Sequence, residues 1–135
     1  MPTKRASGPA RRLVDLVAGD PNHVIALSPF ILGEVGKVLS YPRLQALYGL
    51  SPDEIHAHVQ FLESIARIVE PAKGLPVVLS DPFDDPVIYT AVSASSDVLC
   101  TRDRHFFDPN VLSFCEANDI RVMDEIRLLE SLAMA

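Results

Sequence analysis

The residues best suited to chemistry are acids that flank one short apolar stretch, within SDPFDDPVIYTAVSASSDVLCTRD. They are Asp81, Asp84 and Asp85 before the stretch and Asp103 after it. A further acid, Glu34, lies in the earlier segment SPFILGEVGKVL. Carboxylate oxygens are the ligands that Mg²⁺ and Mn²⁺ prefer, and clustered carboxylates repel one another unless a cation lies among them. The pattern predicts a divalent-metal site of the kind that orients water and stabilises charge on a phosphoryl group.

Each acid also has an ordinary interpretation. Aspartate beside proline is common in turns and helix caps, which would account for the three aspartates before the stretch. Glu34 alone is typical of a helix surface, and Asp103 alone is typical of a cap after a strand. Only their joint placement favours a metal site. His56 and His58 lie two apart on a predicted helix, so they point to different sides and are not expected to share a metal.

Composition limits the class of protein. The chain has 135 residues, 48% of them hydrophobic, which predicts one globular domain over residues 1–135. Its net charge of −6 argues against a general nucleic-acid coating protein. No apolar run is long enough for a membrane span, and the basic N-terminus lacks a signal-like apolar core, so we expect a cytoplasmic protein with no membrane partner. Cys100 and Cys115 lack metal-type spacing and are expected to be buried free thiols.

The elements that position these acids alternate between helix and strand. Strands are predicted at residues 23–28, 97–101 and 120–123, and helices at 10–18, 29–39, 43–50, 51–69, 85–94, 109–117 and 124–134. Ser28 and Asp124 are predicted to cap the helices that follow them, and Ser51 with Glu54 is predicted to form a capping box. The order of the elements predicts an α/β fold with a mostly parallel sheet. Sites in such sheets form where strands end and helices begin. Glu34, Asp85 and Asp103 should therefore converge on one crevice.

Two segments resemble those that carry acids in the PIN-domain family, a family of metal-dependent ribonucleases that includes many prokaryotic toxin–antitoxin toxins. They are LSPFILGEVGKVLSYPRL (27–44) and DPFDDPVIYTAVSASSDVLCTRDRHF (81–106). The resemblance implies a PIN-like three-layer α/β/α fold and an endoribonuclease that uses Mg²⁺ or Mn²⁺. It also implies an RNA substrate, a cognate antitoxin and a possible homodimer.

The same resemblance implies roles for individual residues. Glu34, Asp85 and Asp103 would be the catalytic metal ligands, with Asp84 a neighbour that could take the place of Asp85. The remaining roles fall to TRDR, in which Thr101 would hydrogen-bond near the metal and Arg102 or Arg104 would contact RNA phosphate.

One feature of the family has no counterpart in the sequence. PIN domains open with a central strand that ends in Asp-Thr-Asn and supplies the first catalytic aspartate, whereas this sequence starts near the family's first helix, at ASGPARRLVDLVAG. The alternative function is therefore a catalytically impaired PIN-like remnant that binds a protein, either an antitoxin or a second copy. A phosphatase-like or receiver-like α/β domain ranks last, because those folds also begin with an Asp-bearing strand.

Overall fold

The computed structural model describes residues 9–134, with side chains from Arg12 to Ala133. Seven helices and four short strands alternate along this part of the chain. The helices are α1 (Pro9–Ala18), α2 (Pro29–Leu39), α3 (Pro42–Tyr48), α4 (Pro52–Ile65), α5 (Asp85–Ser93), α6 (Pro109–Ala117) and α7 (Glu125–Met134). The strands are β1 (Ile25–Leu27), β2 (Ala66–Ile68), β3 (Val98–Cys100) and β4 (Arg121–Met123). Two 3₁₀ turns, Pro82–Asp84 and Arg104–Phe107, precede α5 and α6.

The strands form two parallel pairs. Strand β1 pairs with β2, and β3 pairs with β4. Within residues 9–134 no strand pairing joins one pair to the other, and α5 contacts both β1 and β3. The predicted α/β class with parallel strands is confirmed, although the sheet is divided in two. The predicted lack of a strand ahead of α1 falls on residues 1–8 and lies outside the described residues.

The helix predicted over residues 51–69 is shorter than expected. Its start is confirmed by a capping box, in which Ser51 Oγ accepts from the Glu54 amide and Glu54 Oε1 accepts from the Ser51 amide. The helix ends at Ile65, and Ala66 has an extended backbone that begins β2. The apolar pattern of this segment suits helix or strand, and pairing with β1 decides in favour of the strand.

The core of the domain lies in the second half of the chain. Its cluster of buried residues consists of Val77, Val78, Ile88, Ala91, Leu99, Phe106, Val111, Cys115 and Ile120. The prediction of buried free thiols is confirmed for Cys115 and wrong for Cys100, which is exposed. Side chains alternate along a strand, so Leu99 points inward and its neighbour Cys100 points outward.

The first and last helices of the described residues, α1 and α7, pack against each other. No helix in the described part of the chain is long and apolar enough to cross a bilayer.

Candidate functional site

Four acids from three segments, Glu34, Asp81, Asp84 and Asp103, lie near one another, and Asp84 responds to the charges of the other three. The pKa of Asp84 is raised above its ordinary value of 3.8, chiefly because the carboxyl is partly buried. The negative charges of Asp81, Asp103 and Glu34 raise this pKa further, while His105 acts in the opposite direction. Because the interaction between charges weakens with distance, Asp81, Asp103 and Glu34 lie in the neighbourhood of Asp84.

Glu34 reaches this edge from the second turn of α2. The helix begins after Ser28, whose Oγ accepts a hydrogen bond from the Ile31 amide at 3.3 Å, and Pro29 takes the first position. The Glu34 carboxylate is partly exposed and forms an ion pair with Lys37 at 3.3 Å, one turn along the same helix. The local sequence therefore fixes both the start of α2 and the direction of the glutamate.

A buried hydrogen bond connects α2 to α5. Thr90 Oγ1 lies 2.9 Å from Ser28 Oγ and 2.6 Å from the Pro86 carbonyl oxygen. Ser28 is fully buried and Thr90 is 2% exposed. The contact links the helix that carries Glu34 to the helix that follows Asp84. Sequence reasoning identified Ser28 as a cap but gave no sign of its partner on α5.

The adjacent residues Asp84 and Asp85 have different surroundings. Asp85 Oδ1 accepts hydrogen bonds from the amides of Val77 and Val78, at 3.1 Å and 2.8 Å, and both valines are buried. Asp84 occupies the cap position of α5 but makes no side-chain capping hydrogen bond. The Asp85 carboxylate therefore holds a loop in place, whereas the Asp84 carboxylate lies near acids of other segments.

Asp103 is held in a tight turn immediately after β3. Its Oδ1 accepts from the His105 amide at 3.0 Å, and its own amide donates to Thr101 Oγ1 at 3.1 Å. The His105 ring is oriented in turn by Ser80, whose Oγ lies 2.8 Å from Nδ1. Thr101 thus shapes the turn that presents Asp103.

The two arginines of this turn differ. Arg102 forms an ion pair with the buried Glu125 at the start of α7, and this contact is the main cause of the lowered pKa of Glu125. The Arg102 charge is coupled to Glu125 and Asp124 rather than to the four acids. Arg104 is exposed at the first position of the second 3₁₀ turn.

The donor set suits a divalent cation in its chemistry, because all four groups are carboxylates. Across the side chains that the structure describes, no three His, Cys, Asp or Glu residues are grouped closely enough to hold a metal ion. Metal binding would therefore require side-chain rotation. Asp84, which spends no hydrogen bond on capping, has that freedom.

Three comparisons with known proteins bear on the fold and the site. Neither the curated proteins nor the solved structures include a match. A family model described as PIN domain matches residues 2–105, which include Glu34, Asp81, Asp84 and Asp103. PIN domains are in general nuclease-type proteins that depend on divalent metal. Because the match covers most of the chain, this protein belongs to the PIN-domain family.

Proposed function

We propose that the protein is a Mg²⁺- or Mn²⁺-dependent endoribonuclease in which Glu34, Asp84 and Asp103 bind the metal. The supporting observation is the raised pKa of Asp84, which is caused chiefly by burial and further by the charges of Asp81, Asp103 and Glu34. A cation placed among neighbouring carboxylates reduces the repulsion between their charges. Membership of a nuclease-type family adds to this argument.

Asp84 replaces Asp85 as the ligand from this segment. Two buried backbone amides already depend on Asp85 Oδ1, so turning that oxygen toward a metal would leave both amides without a partner, and only Oδ2 could serve as a ligand. Each buried group left unsatisfied costs about 1–3 kcal/mol. Asp85 therefore acts as a positioning residue, which holds the loop before the 3₁₀ turn that carries Asp84.

The remaining residues support this site. Thr101 accepts a hydrogen bond from the Asp103 amide and so fixes the carboxylate at the end of β3. Arg104, exposed beside it, is the cation that would contact an RNA phosphate, because Arg102 is already paired with Glu125. When bound, the metal would orient a water molecule and stabilise negative charge on the phosphodiester.

The test is cleavage of a labelled RNA by the purified chain in Mg²⁺, Mn²⁺ or EDTA. Asp103→Asn should reduce cleavage to the level of the chelated wild type, because one metal ligand loses its charge. Asp97→Asn is the matched control, since Asp97 is an exposed aspartate at the opposite end of β3. Cleavage that survives EDTA, or that is the same in Asp103→Asn and the wild type, would contradict the proposal.

A protein-binding role is the second candidate, and one observation favours it. Large apolar side chains are exposed around α3, including Tyr41, Leu47 and Tyr48, and Leu47 is 65% exposed. Several large apolar side chains exposed on one short helix are a feature of protein interfaces. The partner would be a second copy of the chain or a cognate antitoxin.

Light scattering after size-exclusion chromatography separates this role from the nuclease. A dimer that Leu47→Asp returns to monomer, in a chain with no metal-dependent cleavage, would favour the binding module. A chain that stays monomeric at all concentrations and forms no complex on co-expression with a cognate antitoxin would exclude it.

A further inference from the structure

We propose that Phe83 is a stacking platform for an unpaired base of the RNA substrate. This inference rests on the proposed function, and it specifies the substrate as single-stranded RNA with a base accommodated beside the acids. No part of the metal chemistry requires an aromatic residue at this position. The supporting observations are the exposure of the Phe83 ring, the hydrogen bond that holds its backbone and the residues that surround the ring.

Phe83 lies between two of the clustered acids and is held there. It is the middle residue of the 3₁₀ turn Pro82–Asp84, and its amide donates to Asp81 Oδ1 at 3.3 Å. The residue is nevertheless 57% exposed. A large apolar ring is thus fixed at the border of the acidic site with most of its surface in water.

The neighbours of the ring match the parts of a nucleotide. Phe30 supports it from α2 in a tilted contact, with the ring centroids 5.4 Å apart. Lys37 Nζ lies over the Phe83 ring, 5.5 Å from its centroid, while it is also paired with Glu34. An aromatic ring with a neighbouring cation is the combination that single-stranded nucleic acid uses, with the base on the part of the ring that is open to water and the phosphate near the ammonium group.

The same surroundings argue for an unpaired strand. A double helix keeps its base faces inside the stack, so an exposed phenylalanine on a turn has nothing to cover there. In a single strand the base is free to turn onto the ring. Stacking on Phe83 would then place the adjoining phosphate close to Lys37 Nζ, at the border of the acidic site.

The experiment measures binding of a single-stranded RNA that carries one 2-aminopurine, whose fluorescence is quenched when it stacks. It is done in Ca²⁺, with a gel to verify that the RNA stays intact. Phe83→Ala and Phe83→Leu should bind roughly 5- to 100-fold more weakly and lose the protein-induced quenching. Phe83→Tyr should retain both, because it keeps the ring. Phe61→Ala, at another exposed phenylalanine on α4, is the control and should match the wild type.

The outcomes separate this inference from the proposed function. Equal binding and quenching by the wild type and Phe83→Ala, or equal binding of single-stranded and duplex RNA, would overturn the inference, even if cleavage still required Asp103. If Phe83→Ala loses the quenching and the wild type shows no metal-dependent cleavage, the stacking platform would be supported and the proposed nuclease activity would be overturned. Failure of the wild type to bind RNA would overturn both. Thermal melting of Phe83→Ala within a few degrees of the wild type would show that the variant is folded.

Discussion

The two halves of the domain are packed very differently. All nine residues of the core cluster lie in the second half, from Val77 to Ile120. In the first half, residues 25–69, which the structure describes completely, only Ser28 and Leu32 are buried. The first half also exposes several large apolar side chains, which are Val38, Tyr41, Leu47, Tyr48, Phe61 and Ile68.

This difference matters because the acids come from both halves. Asp84 and Asp103 belong to the well-packed second half, whereas Glu34 belongs to the less buried first half. The buried contact between Ser28 and Thr90 joins the two. We infer that the second half supplies the stability of the domain, and that the site is complete only while α2 stays docked on α5.

The largest expected effect comes from truncating the same residue type in each half. Ile88→Ala removes a fully buried side chain from the core on α5, and should lower the free energy of unfolding by about 3–5 kcal/mol. Ile55→Ala, at a half-buried position on α4, should cost only about 1–2 kcal/mol. Urea denaturation of both variants is the measurement. Equal losses of unfolding free energy in the two variants would show that the two halves are packed alike, which would contradict this prediction.

The next largest effect on stability is expected at the loop of Val77 and Val78, where the second half begins. Asp85→Ala leaves the buried amides of Val77 and Val78 without an acceptor, and should cost about 2–4 kcal/mol. Asp85→Asn keeps an amide oxygen in the same place and should cost less than about 1 kcal/mol. Chemical denaturation monitored by circular dichroism gives both values. Similar losses in the two variants would show that the charge, rather than the acceptor, holds the loop.

The smallest effects are opposite pH dependences at two acids. The pKa of Asp84 is raised, so its contribution to stability is present below its ordinary pKa of 3.8 and is lost as the pH rises through the raised value. Asp84→Asn should therefore melt at a higher temperature than the wild type at pH 7, and the difference should vanish in acid. A lower melting temperature at pH 7 would contradict this sign.

Glu125 should behave in the reverse way. Pairing with Arg102 lowers its pKa, so its contribution is present above the ordinary value of 4.5 and is lost as the pH falls through the lowered value. Glu125→Gln should melt below the wild type at pH 7 and converge with it in acid. Scanning calorimetry over this pH range checks both residues, and a loss for Glu125→Gln that is independent of pH would point to packing instead.

The sequence predicted those features that short-range chemistry determines. The capping box at Ser51 and Glu54, the start of α2 after Ser28 and the cap at Asp124 all depend on residues within one helical turn. The same holds for the alternation of helices and strands that identified the α/β class. These signals are local, so they can be read without knowing what lies across the fold.

Features that depend on distant partners were not predictable in this way. The segment after Ile65 becomes a strand because it pairs with β1. In this pairing Ala66 lies opposite Ile25, which is 41 residues earlier in the sequence. Asp84 and Asp85 look alike in sequence, and only the position of the Val77–Val78 backbone distinguishes them. The ion pair of Arg102 with Glu125 on α7 likewise joins residues that are distant in the sequence. In each case the contact lies outside the range of local sequence signals.

We propose that Asp84, rather than Asp85, binds the metal beside Glu34 and Asp103. The decisive measurement is isothermal titration with Mn²⁺ of the wild type, Asp84→Asn and Asp85→Asn, because both substitutions remove one charge from adjacent positions. We expect Mn²⁺ to bind the wild type and Asp85→Asn, and not to bind Asp84→Asn. Binding that persists in Asp84→Asn and disappears in a folded Asp85→Asn would contradict it.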